Sequence, residues 1–535
     1  MCLSVGIPLG RAICATGSGG YTAGMLVSPS RLGAIEEIET GLHWDTAVLG
    51  AEIGRRVAQL SRLEVVRSSR VAIACGGGAD FFADLLATWS LGGTAICLDP
   101  ALTLSERENV IAFARPDVVL IARDTAIRPM ARSEAQSARS PLEGEEWDGH
   151  SIPGLARRAH DPTSLPGGEL TQASSHAHAC TTGPPKPGDP ALVLFTSGTT
   201  AAPKGVVLSF GAIAARIASN VAQVGEGALA RTLITLPTHF GHGLIGNALT
   251  PLLSGGTIVV PPIGAALAND LGRLIDRHRI GFLTSVPALW RMALKFSAPP
   301  QGDTLRRVHV GSAPLAAALW SDVAAWSRCE TVNCYGMTET ANWFSGASSR
   351  DTIAEGLVGA PWEGAAAVRD AGGAIGTSGE GEIVVRCAGL MSSYLGRPDL
   401  TAAVLQDGWY RTGDRGWIDP TGRIRLTGRI KDEINRAGFK VQPAEIDVLL
   451  ETHPAVAEAC VFAMPDPVGG ESVAAAVRLA PGASASSETL RAWCRERLRR
   501  EAVPEHWFFV QQMPRNARGK LSRDAVRRTV TSGAA

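Results

Sequence analysis

The chain has 535 residues, and its 51 lysine and arginine residues are balanced by 51 aspartate and glutamate residues, which gives a formal net charge of zero. This balance argues against a protein that binds nucleic acids or other polyanions through bulk positive charge, although it permits a local phosphate site. With 45% hydrophobic residues the chain can bury a large core, and its length suggests about three or four folding units.

The ten cysteines are scattered without a CxxC pair or a spacing typical of metal ligands, which indicates reduced thiols rather than a disulfide framework. No apolar run approaches the ~20 residues that a membrane-spanning helix needs. The first residues lack a basic segment followed by an apolar stretch, so we do not expect a signal peptide. A cytoplasmic protein without a membrane span is the expectation.

From residue 47 onward, helical and strand patterns alternate, and this alternation predicts a parallel sheet built from strand–helix–strand units. Residues 1–40 are rich in Gly and Ser and are interpreted as a partly ordered leader. The predicted elements are a helix over residues 47–60, a strand over 71–75, a helix over 81–91 and strands over 94–98 and 118–121.

Residues 130–188 interrupt this alternation with a Ser-, Pro- and Gly-rich segment that predicts a flexible insert. The α/β pattern resumes at residue 191 and continues to about residue 370. Two β-rich segments and then a smaller α+β unit follow. They comprise residues 381–386 and 409–426, and, after residue 429, a helix over 443–451, strands over 457–462 and 473–479, and a charged helix over 488–500.

A loop rich in hydroxyl groups follows the predicted buried strand at residues 191–195. Small residues let backbone N–H groups approach an anion closely, and a lysine adds positive charge, so the loop is a candidate phosphate site. It does not match the Walker pattern of P-loop NTPases. Its candidate ligands are Thr196, Ser197, Gly198, Thr199, Thr200 and Lys204.

This loop resembles the signature of the adenylate-forming superfamily, which includes acyl-CoA synthetases, peptide-synthetase adenylation domains and luciferases. The family pattern differs only at Ala201, where glycine is usual. At least six motifs occur in the family's order and together cover roughly residues 45–525. The resemblance implies that the loop grips the β- and γ-phosphates of ATP, with Mg²⁺ as the metal.

The resemblance also implies an α/β fold with two parts. We expect a large N-terminal adenylate-forming domain of several subdomains over residues 41–428, which contains the insert, and a small α+β C-terminal domain over 432–535. A hinge at residues 429–431 would let the small domain move. Lys431 would lie at the pivot, and Gly438 and Phe439, in the segment 437–446, would contact coenzyme A.

Two segments are expected to surround the acyl group. The first, residues 236–243, resembles a Pro-x-x-His-x-x-Gly segment with a shifted register, because Phe240 occupies the usual histidine position between His239 and His242. The second, residues 309–315, would pack along adenine and the acyl group. The expected substrate contacts are His239, Phe240, His242, Ser312, Met337 and Trp343, and Gly311 and Ala313 are expected at the nucleotide.

Residues 333–340 closely match the family's Tyr-Gly-x-Thr-Glu motif. A tyrosine ring can stack on adenine, and a glycine permits close backbone approach. Thr338 would bond the α-phosphate, and Glu339 would be a hard oxygen ligand for Mg²⁺. Asn333, Tyr335 and Gly336 complete the expected nucleotide contacts in this segment.

Three further matches lie downstream. Asp414, in a Tyr-x-Thr-Gly-Asp motif, would accept both ribose hydroxyls, and Arg429 would contact the ribose. Lys520, in a Pro-Arg-Asn-x-x-Gly-Lys motif, would be the catalytic lysine, acting with Thr338, Glu339 and Lys204. Of the six lysines in the chain (Lys186, Lys204, Lys295, Lys431, Lys440 and Lys520), four lie inside these motifs.

The implied reaction has two steps. A carboxylate attacks the α-phosphorus of MgATP to give an acyl-adenylate and pyrophosphate, and a thiol, with coenzyme A as the leading acceptor, then takes the acyl group. One departure bears on the second step: Asn435 stands where many acyl- and aryl-CoA ligases carry a lysine, and Lys440 could partly substitute.

Alternatives remain open at the level of the sequence. The acyl group could be loaded onto a carrier protein in secondary metabolism, or another small anion such as nitrite could be activated for transfer to an aryl amine. A non-catalytic ATP-binding module is disfavoured because Glu339 and Lys520 are both present. Trp343 suggests a pocket closed at one end, which favours a short or aromatic acid.

Overall fold

The computed structural model describes residues 26–121, 184–196, 204–262, 265–436, 439–466, 470–515 and 521–533. Its α/β architecture, a large N-terminal part followed by a small α+β part, confirms the predicted fold class. Within the described residues no helix is both long and apolar enough to cross a membrane. Most of the predicted insert at 130–188 lies outside these residues.

The N-terminal part alternates strands and helices up to residue 348. Its strands are β1 (Ala34–Glu37), β2 (His43–Trp44), β3 (Arg70–Ala74), β4 (Thr94–Cys97), β5 (Val118–Ile121), β6 (Pro190–Thr196), β7 (Lys204–Ser209), β8 (Arg231–Leu233), β9 (Thr257–Val260), β10 (Phe282–Ser285), β11 (Arg307–Val310), β12 (Glu330–Met337) and β13 (Asn342–Ser348). Its helices are α1 (Thr46–Arg62), α2 (Ala79–Ser90), α3 (Leu104–Ala114), α4 (Phe210–Val224), α5 (Glu226–Leu229), α6 (Thr250–Leu252), α7 (Ala265–Asn269), α8 (Leu271–Arg277), α9 (Pro287–Phe296) and α10 (Ala317–Ser327), with a π-helix at His242–Leu249.

The rest of the chain is richer in strands. Its strands are β14 (Leu357–Gly359), β15 (Ala365–Arg369), β16 (Ile375–Gly376), β17 (Gly379–Arg386), β18 (Ser393–Tyr394), β19 (Leu405–Gln406), β20 (Trp409–Ile418), β21 (Ile424–Arg429), β22 (Ile434–Arg436), β23 (Phe439–Val441), β24 (Val456–Asp466), β25 (Gly470–Leu479) and β26 (His506–Phe509). Its helices are α11 (Pro398–Val404), α12 (Pro443–Glu451), α13 (Ser487–Arg495) and α14 (Arg523–Thr531), and short 3-10 helices occur at Pro29–Arg31, Thr338–Thr340, Ile430–Asp432 and Arg500–Ala502.

These strands form four sheets in the described residues. A six-stranded sheet has the order β18-β7-β6-β4-β3-β5, and an eight-stranded sheet has the order β13-β12-β11-β10-β8-β9-β1-β2. The pairs β3–β4, β3–β5 and β4–β6 are parallel, as the alternating pattern predicts. A seven-stranded sheet contains β14 to β17 and β19 to β21, and a five-stranded sheet contains β22 to β26.

The first two sheets share one large apolar core. Helix α4 lies between them, because it contacts β6 and β7 on one side and the π-helix and β13 on the other. Its inward side chains, such as Phe210, Ile213 and Ile217, are at most 1% exposed. Burying such apolar side chains is the main stabilising contribution to the fold. Separate apolar clusters lie on the two faces of the five-stranded sheet.

The predicted leader boundary at residue 40 needs correction. Ala34–Glu37 forms β1, which pairs in parallel with β9 at Thr257–Val260 inside the eight-stranded sheet. Only Ile35 of this strand is fully buried, so its four residues show no clear apolar alternation. The strand pairs on one side with the short strand β2 and on the other with β9, more than 200 residues away, and a local pattern does not reveal the second partner.

The charged helix predicted over residues 488–500 is also shorter in the structure. Helix α13 ends at Arg495, and the N–H groups of Arg497 and Leu498 both turn back to the carbonyl of Cys494. This tightening places Leu498 against the apolar cluster of the five-stranded sheet. The helix predicted over 443–451 is confirmed as α12.

Candidate functional site

The predicted motifs converge at the carboxyl ends of parallel strands, where ligands bind in open α/β sheets. Strands β10, β11 and β12 lie side by side in parallel, so the segments that follow them meet at one edge of the sheet. Strand β12 continues into the 3-10 turn Thr338–Thr340, and β13 returns antiparallel from residue 342. Gly336 is required here, because a methyl group at its position would lie 2.1 Å from the Asn342 carbonyl oxygen.

Glu339 is held by a tyrosine that sequence motifs did not single out. The hydroxyl of Tyr394 donates a hydrogen bond of 2.8 Å to Glu339 Oε1, and the Tyr410 hydroxyl lies 3.4 Å from that of Tyr394. The Lys204 amine lies 6.0 Å from the centroid of the Tyr394 ring. Because β18 pairs with β7, Tyr394 is brought beside the strand that begins at Lys204. A carboxylate and a cation therefore flank one phenol ring.

The environment of these tyrosines keeps them protonated. Burial raises the pKa of Tyr394 well above its usual value, and the negative charge of Glu339 raises it further. The pKa of Tyr410 is raised by burial first and by Glu339 second. Tyr394 therefore acts as a hydrogen-bond donor to Glu339 across the physiological pH range.

Asp414 is the centre of a second cluster. It is 4% exposed, its Oδ2 accepts a 2.6 Å hydrogen bond from the Tyr335 hydroxyl, and its Oδ1 lies 2.6 Å from Arg429 Nε. Asp414 and Arg429 are direct partners in the antiparallel pair β20–β21. A buried carboxylate of this kind is stabilised only when charged or hydrogen-bonding partners surround it.

The pKa values of Tyr335 and Arg429 are both shifted by the charge of Asp414. Burial raises the pKa of Tyr335 well above its usual value, and the charge of Asp414 adds to that effect. Burial alone would lower the pKa of Arg429, but the charge of Asp414 outweighs it and the net pKa is raised. The Tyr335 hydroxyl and the Arg429 guanidinium therefore hold the Asp414 carboxylate in a fixed position.

His242 and Ser312 form a third group of contacts, and the residue before His242, Gly241, packs against Thr338. His242 Nδ1 lies 2.7 Å from Ser312 Oγ, and His242 Nε2 lies 2.7 Å from the hydroxyl of Thr284 on β10. Trp343 is 2% exposed, and its ring centroid lies 5.6 Å from that of His242. Gly311 permits this arrangement, because a methyl group there would lie 2.9 Å from the Cys334 carbonyl oxygen.

Two predicted contact residues have other partners in the structure. His239 Nε2 lies 3.2 Å from Asp99 Oδ2, which follows β4, and its ring lies 4.0 Å from that of Phe240. The Asn333 side chain donates a 2.8 Å hydrogen bond to the Leu357 carbonyl and so links β12 to β14. His239, Phe240 and Asn333 remain predictions as ligand contacts, and the structure gives His239 and Asn333 a role in joining segments.

The other predicted residues lie around these clusters. Ala313 is exposed beyond β11, and Met337 is partly buried at the end of β12. Lys431 is exposed in the 3-10 turn after β21, and Phe439 is 50% exposed at the start of β23. Thr196 ends β6 opposite Lys204, so the strand pair β6–β7 leads directly to the hydroxyl-rich loop. Ser197, Gly198, Thr199, Thr200, Gly438 and Lys520 lie outside the described residues.

A buried arginine that sequence reasoning missed supports the Thr338–Thr340 turn. Arg216 on α4 is fully buried, and its Nε donates a 3.0 Å hydrogen bond to the Thr340 carbonyl. Its Nη2 lies 3.4 Å from the sulfur of Cys387 and 4.0 Å from Glu363. Burial lowers the pKa of Arg216. Its only signal in the sequence is a charged residue on the apolar face of a helix, which does not identify its partner.

Comparison with known proteins decides the family. Residues 49–395 match the family model of the AMP-binding enzyme, and residues 445–520 match the model of the AMP-binding enzyme C-terminal domain. The chain belongs to the AMP-binding enzyme family. The resemblance to the adenylate-forming superfamily is confirmed, and so is the predicted enzyme class, an AMP-forming acid–thiol ligase.

Individual relatives agree with this assignment. The chain is 36% identical to a fatty acid–[acyl-carrier-protein] ligase, ScoC, of Streptomyces coeruleorubidus over 64% of this chain and 69% of that protein. It is 30% identical to a 4-chlorobenzoate–CoA ligase of Arthrobacter over 91% of this chain and 93% of that protein. The predicted cofactors, ATP, Mg²⁺ and coenzyme A, are confirmed at the level of the family.

The fold agrees as well. The structure of o-succinylbenzoate CoA synthetase (MenE) from Bacillus subtilis, in complex with its acyl-adenylate, matches with a TM-score of 0.75 at 24% identity. The match covers 94% of this chain and 96% of that protein. At this level of identity the likeness establishes the shared architecture, in which a large N-terminal part precedes a small C-terminal part.

Proposed function

We propose that the enzyme activates a small carboxylic acid with MgATP and transfers the acyl group to the thiol of coenzyme A. In the first step a carboxylate oxygen attacks the α-phosphorus, and the bond to the bridging oxygen of pyrophosphate breaks. In the second step the thiol sulfur attacks the acyl carbon, AMP leaves and the thiol proton is released to solvent. Positioning and charge stabilisation supply most of the catalysis in such reactions.

The observation that carries this proposal is the convergence of Lys204, Glu339, Asp414 and Arg429 around two adjacent tyrosine-centred clusters. Asp414, fixed by Tyr335 and Arg429, would accept the two ribose hydroxyls of ATP. Thr338 begins the turn that follows Tyr335 on β12, and the backbone at Gly241, next to His242, packs against it. The α-phosphate would lie at this turn. Lys204 and the hydroxyl-rich loop would neutralise the departing pyrophosphate.

The residues present also fit Mg²⁺. The Glu339 carboxylate is a hard oxygen donor, and Tyr394 fixes its orientation from Oε1. Among the described residues no group of three or more His, Cys, Asp and Glu side chains forms a metal cage, and Mg²⁺ usually takes one or two carboxylates together with phosphate and water oxygens. When bound, the ion would stabilise the charge that develops on pyrophosphate.

The C-terminal part would supply Lys520 for adenylation and the segment around Gly438 for thiol transfer. We propose a hinge at residues 429–431, a small domain over 432–535, and movement between the two steps. The exposed Lys431 and the single 3-10 turn Ile430–Asp432 support a hinge there. In the orientation described, Arg291 of α9 forms a 2.7 Å ion pair with Glu451 of α12, and Arg415 lies 3.4 Å from Glu433.

A carrier protein is the second candidate for the acceptor. The relative from Streptomyces coeruleorubidus, a ligase that acts on an acyl-carrier protein by name, supports this alternative. Both acceptors present a thiol, so the first step is the same for either. To distinguish the two acceptors, CoA and a phosphopantetheinylated carrier protein are each offered to the same adenylate, and the thioester formed is identified.

The test uses the purified full-length enzyme with a panel of carboxylic acids, ATP, Mg²⁺ and each thiol acceptor. We expect pyrophosphate release that depends on the acid, and one AMP for each acyl thioester, detected by mass spectrometry. Production of ADP, or ATP cleavage independent of every acid, would refute the proposal. A thioester with the carrier protein and none with CoA would replace the acceptor and leave the first step intact.

A further inference from the structure

A histidine joins three segments near Thr338. His242 is the first residue of the π-helix, Thr284 lies on β10 and Ser312 follows β11. Both ring nitrogens of His242 lie 2.7 Å from a hydroxyl oxygen, Nδ1 from Ser312 and Nε2 from Thr284. Thr284 is fully buried, whereas Ser312 is exposed and has a positive φ of 64°. The hydroxyl of Ser312 is therefore the accessible end of a three-residue relay.

The relay lies next to the atoms that the proposed reaction uses. A methyl group at Gly241 would lie 3.7 Å from Thr338 Oγ1, so the backbone just before His242 packs against the turn proposed to bind the α-phosphate. A methyl group at Gly311 would lie 3.6 Å from Cε1 of His242. An acid whose carboxylate meets the α-phosphate at Thr338 would place its body against this relay.

The relay is neutral but retains hydrogen-bonding capacity. Burial lowers the pKa of His242 to about 3, so the imidazole carries one N–H donor and one acceptor nitrogen near pH 7. If Nδ1 carries the proton, it donates to Ser312, and the serine hydrogen is available to a ligand. If Nε2 carries it, Ser312 donates to Nδ1, and the serine oxygen can accept from a ligand. Either tautomer therefore leaves Ser312 at least one hydrogen bond to offer a ligand.

Aromatic rings pack in a buried group beside His242. The Trp343 ring lies 4.6 Å from that of His309 and 6.1 Å from those of Phe282 and Trp362 between centroids. His309 and Trp343 are at most 2% exposed, and burial lowers the pKa of His309. The Asn342 amide nitrogen is buried beside Gly246 without a hydrogen-bond partner among the described residues. A long alkyl chain would have to displace this packed cluster.

We propose that the enzyme selects a short or single-ring carboxylic acid that carries an uncharged hydrogen-bonding group, such as a hydroxyl, which bonds to Ser312 at the end of the His242–Thr284 relay. This inference rests on the proposed function and names the substrate class of the same site. Within the described residues, His242 contacts the hydroxyls of Ser312 and Thr284 and the Trp343 ring, all of which are neutral. A second carboxylate or a sulfonate would need a cation to offset its burial.

The test measures acid-dependent ATP–pyrophosphate exchange by the full-length enzyme with matched acids. The pairs replace a hydroxyl by a methyl group: 3-hydroxypropanoate against butanoate, and each isomer of hydroxybenzoate against the same isomer of methylbenzoate. Malonate and octanoate represent charged and long-chain acids. We expect kcat/KM for the best hydroxy acid to exceed that of its methyl partner at least about tenfold, since a site built to bond a hydroxyl rejects the analogue that lacks it.

Variants connect the preference to the relay. Ser312→Ala should reduce the ratio between the best hydroxy acid and its methyl partner to within about threefold, mainly by lowering the hydroxy acid's kcat/KM, because the ligand's hydroxyl loses its partner. Thr284→Val keeps Ser312 but removes one bond of His242 and should reduce the ratio by a smaller factor. Ser321→Ala, an exposed serine on α10, is the matched control and should leave the ratio unchanged.

The outcomes separate the two claims. Exchange with any acid supports the proposed first step. The substrate class would be overturned if a methyl acid, malonate or octanoate were the best substrate. It would also be overturned if Ser312→Ala left the ratio between hydroxy acid and methyl acid unchanged. In both cases the proposed function stands. Exchange with none of the acids would count against both. A tenfold preference that collapses in Ser312→Ala and persists in Ser321→Ala supports the inference.

Discussion

Tyr394 donates a 2.8 Å hydrogen bond to Glu339 and thereby fixes the proposed Mg²⁺ ligand from outside the recognised motifs. The two residues are 55 positions apart and meet because β18 pairs with β7 beside the turn that follows β12. A hydrogen bond to a ligating carboxylate orients it and is expected to affect metal affinity strongly.

Tyr394→Phe should therefore weaken the binding of Mg²⁺ at Glu339. We expect the Mg²⁺ concentration for half-maximal ATP–pyrophosphate exchange to rise about tenfold, in line with the lower end of outer-shell effects, because the Glu339 carboxylate loses its donor. Tyr410→Phe is the comparison variant, because the Tyr410 hydroxyl contacts that of Tyr394 at 3.4 Å while Tyr394 is the residue that donates to Glu339, so its Mg²⁺ titration should change less. An unchanged Mg²⁺ titration in Tyr394→Phe would show that this hydrogen bond has no role in metal binding.

Asp414→Asn should raise the KM for ATP at least about tenfold, since a hydrogen bond to a charged group contributes roughly 1.5–3 kcal/mol. The substitution keeps the shape but removes the charge that Arg429 and Tyr335 hold in place. Steady-state exchange against ATP concentration measures the effect. Asp419→Asn is the control, because Asp419 bonds Thr421 and Arg423 in a nearby turn. An equal increase in KM in both variants would refute a specific nucleotide role for Asp414.

The contacts of Glu36 with Arg231 and His278 make the stability of β1 depend on pH. Burial alone would raise its pKa, but hydrogen bonds and charges from Arg231 and His278 outweigh it and hold the pKa below the usual 4.5. A carboxyl group whose pKa is lower in the folded state stabilises the fold above its unfolded pKa, and this stability is lost as pH falls through the folded pKa. Glu36→Gln should cost about 1–2 kcal/mol near pH 7, and the difference should shrink below pH 4.5.

Thermal unfolding monitored from pH 7.5 to pH 4.0 measures this difference. Glu39→Gln, at an exposed position shortly after β1, should leave the Tm unchanged throughout. A Glu36→Gln deficit that stays constant down to pH 4.0 would contradict the ion-pair explanation. If the Tm of Glu36→Gln equalled that of the wild type at neutral pH, the stability of β1 would not depend on Glu36.

The ion pair between Arg291 and Glu451 joins the C-terminal part to the large N-terminal part. Arg291→Ala removes a partly exposed pair worth roughly 0.5–1 kcal/mol, so trypsin should cleave after the exposed Lys431 about two- to fivefold faster. Mass spectrometry of the fragments 1–431 and 432–535 locates the cut. Arg350→Ala, which removes a long ion pair to Glu330 within the large part, is the control. Equal cleavage in both variants would contradict the proposed hinge contact.

Some features of the fold and of the site are predicted correctly from the sequence alone. Asp414 and Arg429 were predicted to share the ribose site because each lies in a motif, and the register of β20 and β21 places them opposite each other. The helix Pro443–Glu451 agrees with its pattern to the residue. Local patterns and motifs identify such features because the information lies within a few neighbouring residues.

Other features depend on contacts between distant segments. Tyr394, Thr284 and Arg216 lie in no motif, and each gains its role from a partner at least 42 positions away. The sequence pattern places β1 in the leader, because it does not reveal the pairing of β1 with the distant strand β9. The sequence does not distinguish His239 from His242 as a substrate contact. The fold does, because His239 lies beside Asp99 and His242 beside Thr284 and Ser312.

The most direct test of the central claim follows the products of one acid, ATP, Mg²⁺ and CoA in the full-length enzyme and in Lys520→Ala. The account predicts acid-dependent pyrophosphate and AMP in equal amounts and an acyl-CoA with wild type, and loss of exchange with retained ATP binding in the variant. Exchange in Lys520→Ala near the wild-type rate would contradict the role of Lys520, and ADP with phosphate as the wild-type products would contradict the adenylation mechanism itself.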